Sequence, residues 1–205
     1  MRILLVTPLY PPDIAGPAPY VKELATRLDG AHTITILAYS HIPEIVSGVA
    51  IVTVEKRFPA PIRMSIFAWK LRTLLKETDV VYLQNGPSVE VPFTFVSLFS
   101  HIPSVLRLGD SVALTHAVHN RLFRMILIVA MRRVHLLITP ENIPPEIETL
   151  IQDPKLSQKC ICIHNPDIRP EIHPFHEYPQ SAFLAYEASW EKHITSLITS
   201  ITSHI

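Results

Sequence analysis

Residues 2–28, RILLVTPLYPPDIAGPAPYVKELATRL, begin with a short apolar run and end in a segment whose apolar residues recur at helical spacing. A continuous apolar run is typical of a strand buried on both faces of a parallel sheet. A proline-rich loop with one glycine, Gly16, lies between the two, and Pro17 suits the first turn of a helix. The stretch predicts a strand, a loop and a helix whose free N–H groups favour a phosphate. One glycine is a weak phosphate signal, and a plain crossover that binds nothing fits equally well.

Strands and helical segments keep alternating along the rest of the chain. This alternation predicts an α/β fold, a Rossmann-like parallel sheet with helices on both faces. Residues 166–180 carry four prolines and no apolar periodicity, which predicts a linker after a domain at 1–165. The predicted strands are 2–6, 33–38, 49–54, 79–83, 103–108, 134–138 and 160–164, and the predicted helices are 17–28, 64–76, 89–99, 116–132, 143–151 and 181–203.

The amino-acid composition of the chain excludes some classes of function. The 205 residues are 48% apolar, enough for a sizeable core, and 18 Lys and Arg balance 18 Asp and Glu. A balanced charge argues against a nucleic-acid partner. Cys160 and Cys162, the only cysteines, lack CxxC spacing and favour a reducing compartment. The first residues lack a signal-peptide pattern, so we expect a cytoplasmic protein.

Membrane contact is one interpretation of the segment after residue 120. No apolar stretch reaches the roughly 18 residues of a membrane span. Arg121, Arg124, Arg132 and Arg133 lie among apolar residues, a pattern compatible with a peripheral helix at the inner membrane surface. A solvated or partner-facing helix edge explains the same pattern.

The sequence of the first loop and helix, PLYPPDIAGPAPYVKELATRL, closely resembles the start of family-four glycosyltransferases, whose usual form is a PPDIGGPATYV-like loop. Later segments are similar to the family's N-terminal domain, in the same order, and extend the resemblance over residues 1–175. These segments are RFPAPIRMSIFAWKLRTLLKETDVVYLQNGPSVEVP, PSVLRLGDS, RRVHLLITPENIPPEIETLI and KCICIHNPDIRPEIHPF. The resemblance implies a GT-B enzyme, in which two Rossmann-like domains face each other across a cleft where a nucleotide sugar meets its acceptor.

The end of the chain resembles a different part of the same family. EASWEKHITSLITSI, residues 187–201, is similar to the family's last helix, which crosses back onto the N-terminal domain. The family's donor-binding domain carries an E-x(7)-E motif, and no two glutamates here stand eight positions apart. The resemblance therefore implies an acceptor-side domain with a helix, 181–205, that packs back on it, and a donor domain that is missing.

Three functions follow from that implied architecture. The first is the acceptor-binding half of a retaining glycosyltransferase whose nucleotide-sugar donor is held by a separate polypeptide, with no covalently bound cofactor. The second is a non-catalytic remnant. The third is a binding partner of an intact glycosyltransferase. A lipid-linked or glycan acceptor is implied for the first.

Candidate site residues lie at two predicted strand ends and in the first loop. Asn85 and Gly86 end one predicted strand and Gly109 follows the next, at the edge where ligands of open α/β sheets gather, so they could line an acceptor pocket. The resemblance implies that Asp110 orients an acceptor hydroxyl and that Ala15 and Gly16 form the donor-facing loop. Ala15 replaces a glycine of the family, and its methyl group obstructs close approach. Ordinary structural roles remain alternatives, because Asp favours helix N-caps and an Asn-Gly pair favours turns.

A metal site is not predicted. Asp110, His116 and His119 have suitable donor atoms, and two histidines three apart share a helix face. With 11 histidines in the chain, however, such spacing arises by chance.

Overall fold

Seven parallel strands form one sheet in the computed structural model, which describes residues 1–13, 17–166 and 180–204. The strand order is β3-β2-β1-β4-β5-β6-β7. All seven predicted strands are present, with ends within about two residues of the prediction, so the predicted Rossmann-like α/β class is confirmed. The strands are β1 (Arg2–Thr7), β2 (Thr33–Tyr39), β3 (Ala50–Val54), β4 (Val80–Gln84), β5 (Ser104–Arg107), β6 (Leu136–Thr139) and β7 (Cys160–Cys162).

The helices follow the predicted alternation but differ in their bounds. Prolines set several starts: Pro59 precedes one helix, and Pro87 and Pro145 open two others, where a missing N–H costs nothing. The helices are α1 (Ala18–Leu28), α2 (Ala60–Leu74) with a 3-10 turn (Leu75–Glu77), α3 (Pro87–Val96), α4 (Ser111–His119), α5 (Arg121–Arg133), α6 (Pro145–Ile151), α7 (Pro154–Ser157) and α8 (Gln180–His204).

The single helix predicted at 116–132 is wrong. Two helices, α4 and α5, meet at Asn120, which adopts an extended backbone. The Asn120 Oδ1 accepts hydrogen bonds from the N–H groups of Leu122 and Phe123, so this side chain begins a new helix. The apolar periodicity ran across the break and concealed it.

Connection handedness decides which helices cover which face. From β4 the chain steps in one direction across the sheet to β7, and right-handed crossovers then place their helices on one side. Residues of α3, α5, α6 and α7 share a core with Leu83, Leu106 and Leu137. The opposite face, with Tyr82 and Leu136, shares its core with α1 and α8.

Helix α8 covers the face that the crossovers leave open. Its Trp190, Leu197 and Ile201 are at most 2% exposed. Trp190 stacks on Tyr20 of α1, with ring centroids 5.6 Å apart. Arg27 of α1 also forms two 2.8 Å hydrogen bonds to the Glu187 carboxylate. The predicted linker 166–180 falls almost entirely outside the described residues.

Within the described ranges, no single helix is long and apolar enough to cross a bilayer. α4 and α5 reach the required length only as a pair, and they are bent by 120° at Asn120.

We expect Trp190→Ala to lower the free energy of unfolding by about 3–5 kcal/mol, because it opens a cavity in a fully buried contact. Trp69→Ala is the matched control. Trp69 is 67% exposed, and its loss should cost under about 1 kcal/mol. Urea unfolding followed by circular dichroism measures both. Equal stability of the Trp190 variant and the wild type would mean that α8 does not cover the sheet in solution.

Candidate functional site

A cleft of about 440 Å³ opens at the carboxyl ends of β1, β4 and β5. Strand order reverses here, since the chain leaves β1 towards β2 on one side and later places β4 on the other. Ligands of open α/β sheets bind at such a point. The residues lining the cleft include Pro8, Lys56, Arg63, Gly86, Asp110, His116 and Phe123.

Asn85 and Asp110 join the ends of two neighbouring strands. The Asn85 Oδ1 accepts a 2.7 Å hydrogen bond from the Asp110 N–H, and the Asn85 Nδ2 donates to the Asp110 carbonyl at 3.0 Å. Asn85 is 1% exposed and does not line the cleft. Its side chain therefore holds Asp110 in place.

The two oxygens of the Asp110 carboxylate have different partners. Its Oδ1 accepts hydrogen bonds from the N–H groups of Val112 and Ala113, at 3.0 and 3.1 Å, and so caps α4. Asp110 also lines the cleft. Because both capping bonds end on Oδ1, Oδ2 is the atom that a ligand in the cleft would contact.

Gly86 brings the β4–α3 turn close to β1. Its φ of 147° lies where side chains are strained, and an added Cβ would stand 3.3 Å from Pro8 Cγ. Gly86 lines the cleft beside Pro8 and Pro87. The glycine shapes this wall by backbone conformation and by the space it leaves.

Gly109 leaves room for a buried cation. A Cβ at Gly109 would lie 1.9 Å from Arg107 Nη1. Arg107 is 4% exposed, and its guanidinium donates to Gln84 Oε1 at 3.0 Å and to Asn165 Oδ1 at 2.6 Å. Gly109 therefore acts through Arg107 and is not among the residues that line the cleft.

The Arg107 guanidinium stacks on Tyr20. Its central carbon lies 3.7 Å from the Tyr20 ring centroid, a cation–π contact made at a buried site. Among the described residues, none offers Arg107 a carboxylate within ion-pair distance. Neutral amide oxygens and an aromatic face compensate its charge instead.

A hydrogen-bond chain continues from Tyr20 into α8. The His164 carbonyl can only accept, so the His193 Nδ1 donates to it at 2.8 Å. The His193 Nε2 then accepts from the Tyr20 hydroxyl at 2.8 Å, and the Tyr20 oxygen accepts from Tyr82 at 2.9 Å. Burial lowers the pKa of His193 to about 4, with nearby Arg107 acting in the same direction. The ring is neutral at neutral pH.

Glu90 is the buried carboxyl group of α3. It is 3% exposed, and its Oε1 accepts a hydrogen bond from the Gly86 N–H at 2.9 Å. Burial raises its pKa to about 7, and the charge of Asp110 adds to the shift. The hydrogen bond from Gly86 acts in the opposite direction.

Positive groups line one side of the cleft. Lys56 pairs with Asp13 at the surface. The Arg63 guanidinium lies over the Tyr39 ring at 5.9 Å. Arg63 Nε is buried with no hydrogen-bond partner in the part of the chain that the structure describes. This wall favours a ligand with a negative charge.

Asp110, His116 and His119, the side chains with suitable donor atoms, do not come together as a metal site in the structure. His116 lines the cleft with Asp110, while the His119 ring bonds to the Thr115 carbonyl. In residues 1–13, 17–166 and 180–204 no group of three His, Cys, Asp or Glu side chains is placed to hold a metal ion. Ala15 and Gly16, the predicted donor-facing residues, lie outside the described residues.

Sequence reasoning did not identify Glu90, Arg107 or His193 as residues of this region. Glu90 and Arg107 each interrupt an apolar run, in SVEVPF and SVLRLG. A charged residue within such a run is a usable signal, because buried charges need a specific partner. His193 carried no comparable signal, since it does not interrupt an apolar run: Glu191, Lys192 and Thr195 nearby are polar.

No protein-family model and no curated protein matches this chain. Solved structures do. HepE from Anabaena, in complex with UDP and glucose, matches with a TM-score of 0.56 and 19% identity over 82% of this chain and 45% of its own. UGT89C1 from Arabidopsis thaliana, complexed with UDP-L-rhamnose, matches with a TM-score of 0.52 and 13% identity over 83% and 52%.

A transferase from Siraitia grosvenorii in complex with UDP has a TM-score of 0.51 and 12% identity, over 83% of this chain and 52% of that one. This chain spans about half the length of the three proteins. At these identities the likeness is one of fold. The Rossmann-like α/β architecture is thus shared with proteins that bind UDP or a UDP-sugar.

We expect Glu90→Gln to stabilise the protein at alkaline pH. The pKa of Glu90 is raised from 4.5 to about 7 in the folded state, so that state holds the extra proton between these values. Raising the pH through this window therefore removes stability from the wild type. The variant keeps an oxygen for the Gly86 N–H and should be about 1–3 kcal/mol more stable at pH 8.

Urea unfolding at pH 4.5, 6 and 8 measures the difference between Glu90→Gln and the wild type. The difference isolates Glu90 from other titrating groups such as His193, whose lowered pKa removes stability as the pH falls. A difference that does not grow with pH would contradict the assignment of a buried, proton-holding Glu90.

Proposed function

We propose that this chain is the acceptor-binding half of a retaining, nucleotide-sugar-dependent glycosyltransferase of the family-four type. The cleft at the carboxyl ends of β1, β4 and β5 carries the proposal, because it lies at the point of the sheet where Rossmann-like folds bind ligands. The fold shared with HepE and UGT89C1, whose structures hold UDP or UDP-sugar, supports sugar transfer. The sequence of residues 8–28, which resembles the start of family-four enzymes, supports the assignment to that family.

In this proposal Asp110 is the catalytic residue of the acceptor side. Its Oδ2 accepts a hydrogen bond from the acceptor hydroxyl and orients that oxygen towards the sugar carbon. Asn85 and Gly109 support the site indirectly, through Asp110 and Arg107. Gly86 forms part of the cleft wall.

The acceptor proposed for the cleft carries a negative charge. Lys56 and Arg63 lie side by side in the cleft, and the apolar ring of Phe123 lies in the same cleft. A lipid-linked acceptor with a phosphate combines both features, and an anionic glycan shares the charge. We place this activity in the cytoplasm, at the inner membrane surface.

In this proposal a partner polypeptide binds the donor sugar. A second Rossmann-like domain on another polypeptide would hold the nucleotide sugar facing the loop with Ala15 and Gly16. An intact glycosyltransferase is the other partner that could supply the donor side.

We expect the purified chain alone to transfer no sugar from UDP-, GDP- or ADP-sugars while still binding its acceptor. Saturation-transfer NMR with a polyprenyl phosphate and with neutral and anionic oligosaccharides tests acceptor binding. Asp110→Asn keeps an oxygen for the helix cap but replaces Oδ2 with an NH2 group, which cannot accept from the acceptor hydroxyl, so it should weaken binding of hydroxyl-bearing acceptors about tenfold or more. Robust turnover by the chain alone would contradict the division into two halves.

Asp153→Asn is the matched control for that experiment. Asp153 caps α7 by accepting a 2.9 Å hydrogen bond from the Lys155 N–H, and it lies outside the cleft. Its substitution should leave acceptor binding unchanged. Equal binding by the Asp110 variant and the wild type would remove Asp110 from the proposed site.

A further inference from the structure

The buried carboxyl group of Glu90 lies directly behind the cleft wall. Gly86 lines the cleft, and the Glu90 Oε1 accepts a hydrogen bond from the Gly86 N–H at 2.9 Å. Glu90 itself is 3% exposed and is not among the residues that line the cleft. One backbone N–H group therefore stands between this carboxyl group and the wall that a ligand would contact.

The same turn connects Glu90 with Asp110. The peptide unit that donates to Glu90 joins Gly86 to Asn85, and the Asn85 side chain holds the N–H and the carbonyl of Asp110. Glu90 thus supports one end of a short linkage whose other end is the Asp110 backbone. The two carboxyl groups are also close enough for the charge of Asp110 to act on Glu90.

Glu90 has few partners that could compensate a negative charge. The bond from Gly86 is the one hydrogen bond that the described residues give its side chain, and no cation among those residues forms an ion pair with it. A buried carboxyl group in such surroundings favours its neutral form. Burial raises the pKa of Glu90 to about 7, so the group changes its charge in the neutral pH range.

Charged groups stand on the elements around Glu90. Helix α3 packs against α2 and α5, and the Tyr39 hydroxyl of β2 donates to a carbonyl in its first turn. The cleft side presents Lys56, Arg63, Asp110 and His116. Elsewhere α2 carries Lys70 and Arg72, and α5 carries Arg121, Arg124, Arg132 and Arg133. Asp110 is the group among them whose charge raises the pKa of Glu90.

We propose that Glu90 determines which acceptors the cleft binds. While Glu90 is neutral, Asp110 is the negative charge of this wall, and Lys56 and Arg63 can attract an anionic acceptor. Ionisation of Glu90 adds a second negative charge behind Gly86, at a buried position where repulsion is weakly screened. Anionic acceptors then bind more weakly, whereas neutral acceptors keep their hydrogen bond to Asp110. This inference rests on the proposed function of the cleft.

A purely structural role for Glu90 has a different consequence. A side chain that only caps α3 through Gly86 would affect all acceptors alike, at every pH. The ratio of the affinities for a charged and a neutral acceptor removes such common effects. Because Glu90 touches no acceptor, it is a positioning residue, and this ratio distinguishes its role from that of a cap.

The experiment uses matched pairs of acceptors. The probes are neutral oligosaccharides, each paired with its form carrying one sulfate ester, whose charge stays constant near neutral pH. Titrations of the full chain, followed by saturation-transfer NMR at pH 6, 7 and 8.5, give the dissociation constants of both members. We expect the preference of the wild type for the sulfated member to fall about threefold to tenfold between pH 6 and 8.5.

Three variants assign that fall to Glu90. Glu90→Gln keeps an oxygen for the Gly86 N–H but cannot ionise, so its preference should stay at the pH 6 value throughout. Glu148→Gln makes the same chemical change at an exposed residue outside the cleft, and should behave as the wild type does. His116→Gln removes a cleft histidine that can itself lose a proton near neutral pH, and should retain most of the fall.

The reciprocal effect gives a second measurement. Carbon-13 NMR of labelled glutamate carboxyl groups follows the titration of Glu90, and the signal missing from Glu90→Gln identifies it. A saturating sulfated acceptor should raise the midpoint of this titration, because binding and ionisation oppose each other equally in both directions. The neutral member of the pair should leave the midpoint unchanged.

Two results would overturn the role of Glu90 alone. One is a wild-type preference that does not change with pH, and the other is a fall that persists in Glu90→Gln. In both cases acceptors still bind, so the proposed acceptor site stands. If no acceptor binds at any pH, the proposed function fails and the role of Glu90 fails with it.

Discussion

A parallel sheet must be covered on both faces, and this constraint governs the whole molecule. Right-handed crossovers from β4 to β7 all run the same way, so α3, α5, α6 and α7 cover one face only. The far side of those strands is covered by α8, which comes from the end of the chain. Burial of Trp190 against Tyr20 closes the core.

The same covering helix reaches the neighbourhood of the cleft. His193 of α8 hydrogen-bonds to the Tyr20 hydroxyl, and the Arg107 guanidinium lies over the Tyr20 ring. Gly109, which makes space for Arg107, directly precedes Asp110. The packing of α8 on the sheet therefore connects, through Tyr20 and Arg107, with the residues next to Asp110, which we propose binds the sugar acceptor.

The position of a residue could be predicted from the sequence where it followed from a strand end, whereas its role in a site stays a prediction. Gly86 and Asp110 both line the cleft, as residues after parallel strands should. Asn85 stands beside them, but its side chain turns inward to the Asp110 backbone, because side-chain direction at a strand end depends on the local turn. Gly109 leaves space for the Arg107 guanidinium. Glu90 and Arg107 were missed because their burial depends on partners distant in the chain.

The sequence by itself determined the seven strands and the alternating helices, because apolar runs and helical spacing are local patterns. It did not reveal the break at Asn120, where a side-chain cap overrides continuous periodicity. Only the tertiary structure placed the buried Glu90 behind the wall that Gly86 forms and close to Asp110. The charge of a carboxyl group depends on its burial and on the charges around it, and packing between elements distant in the chain decides both.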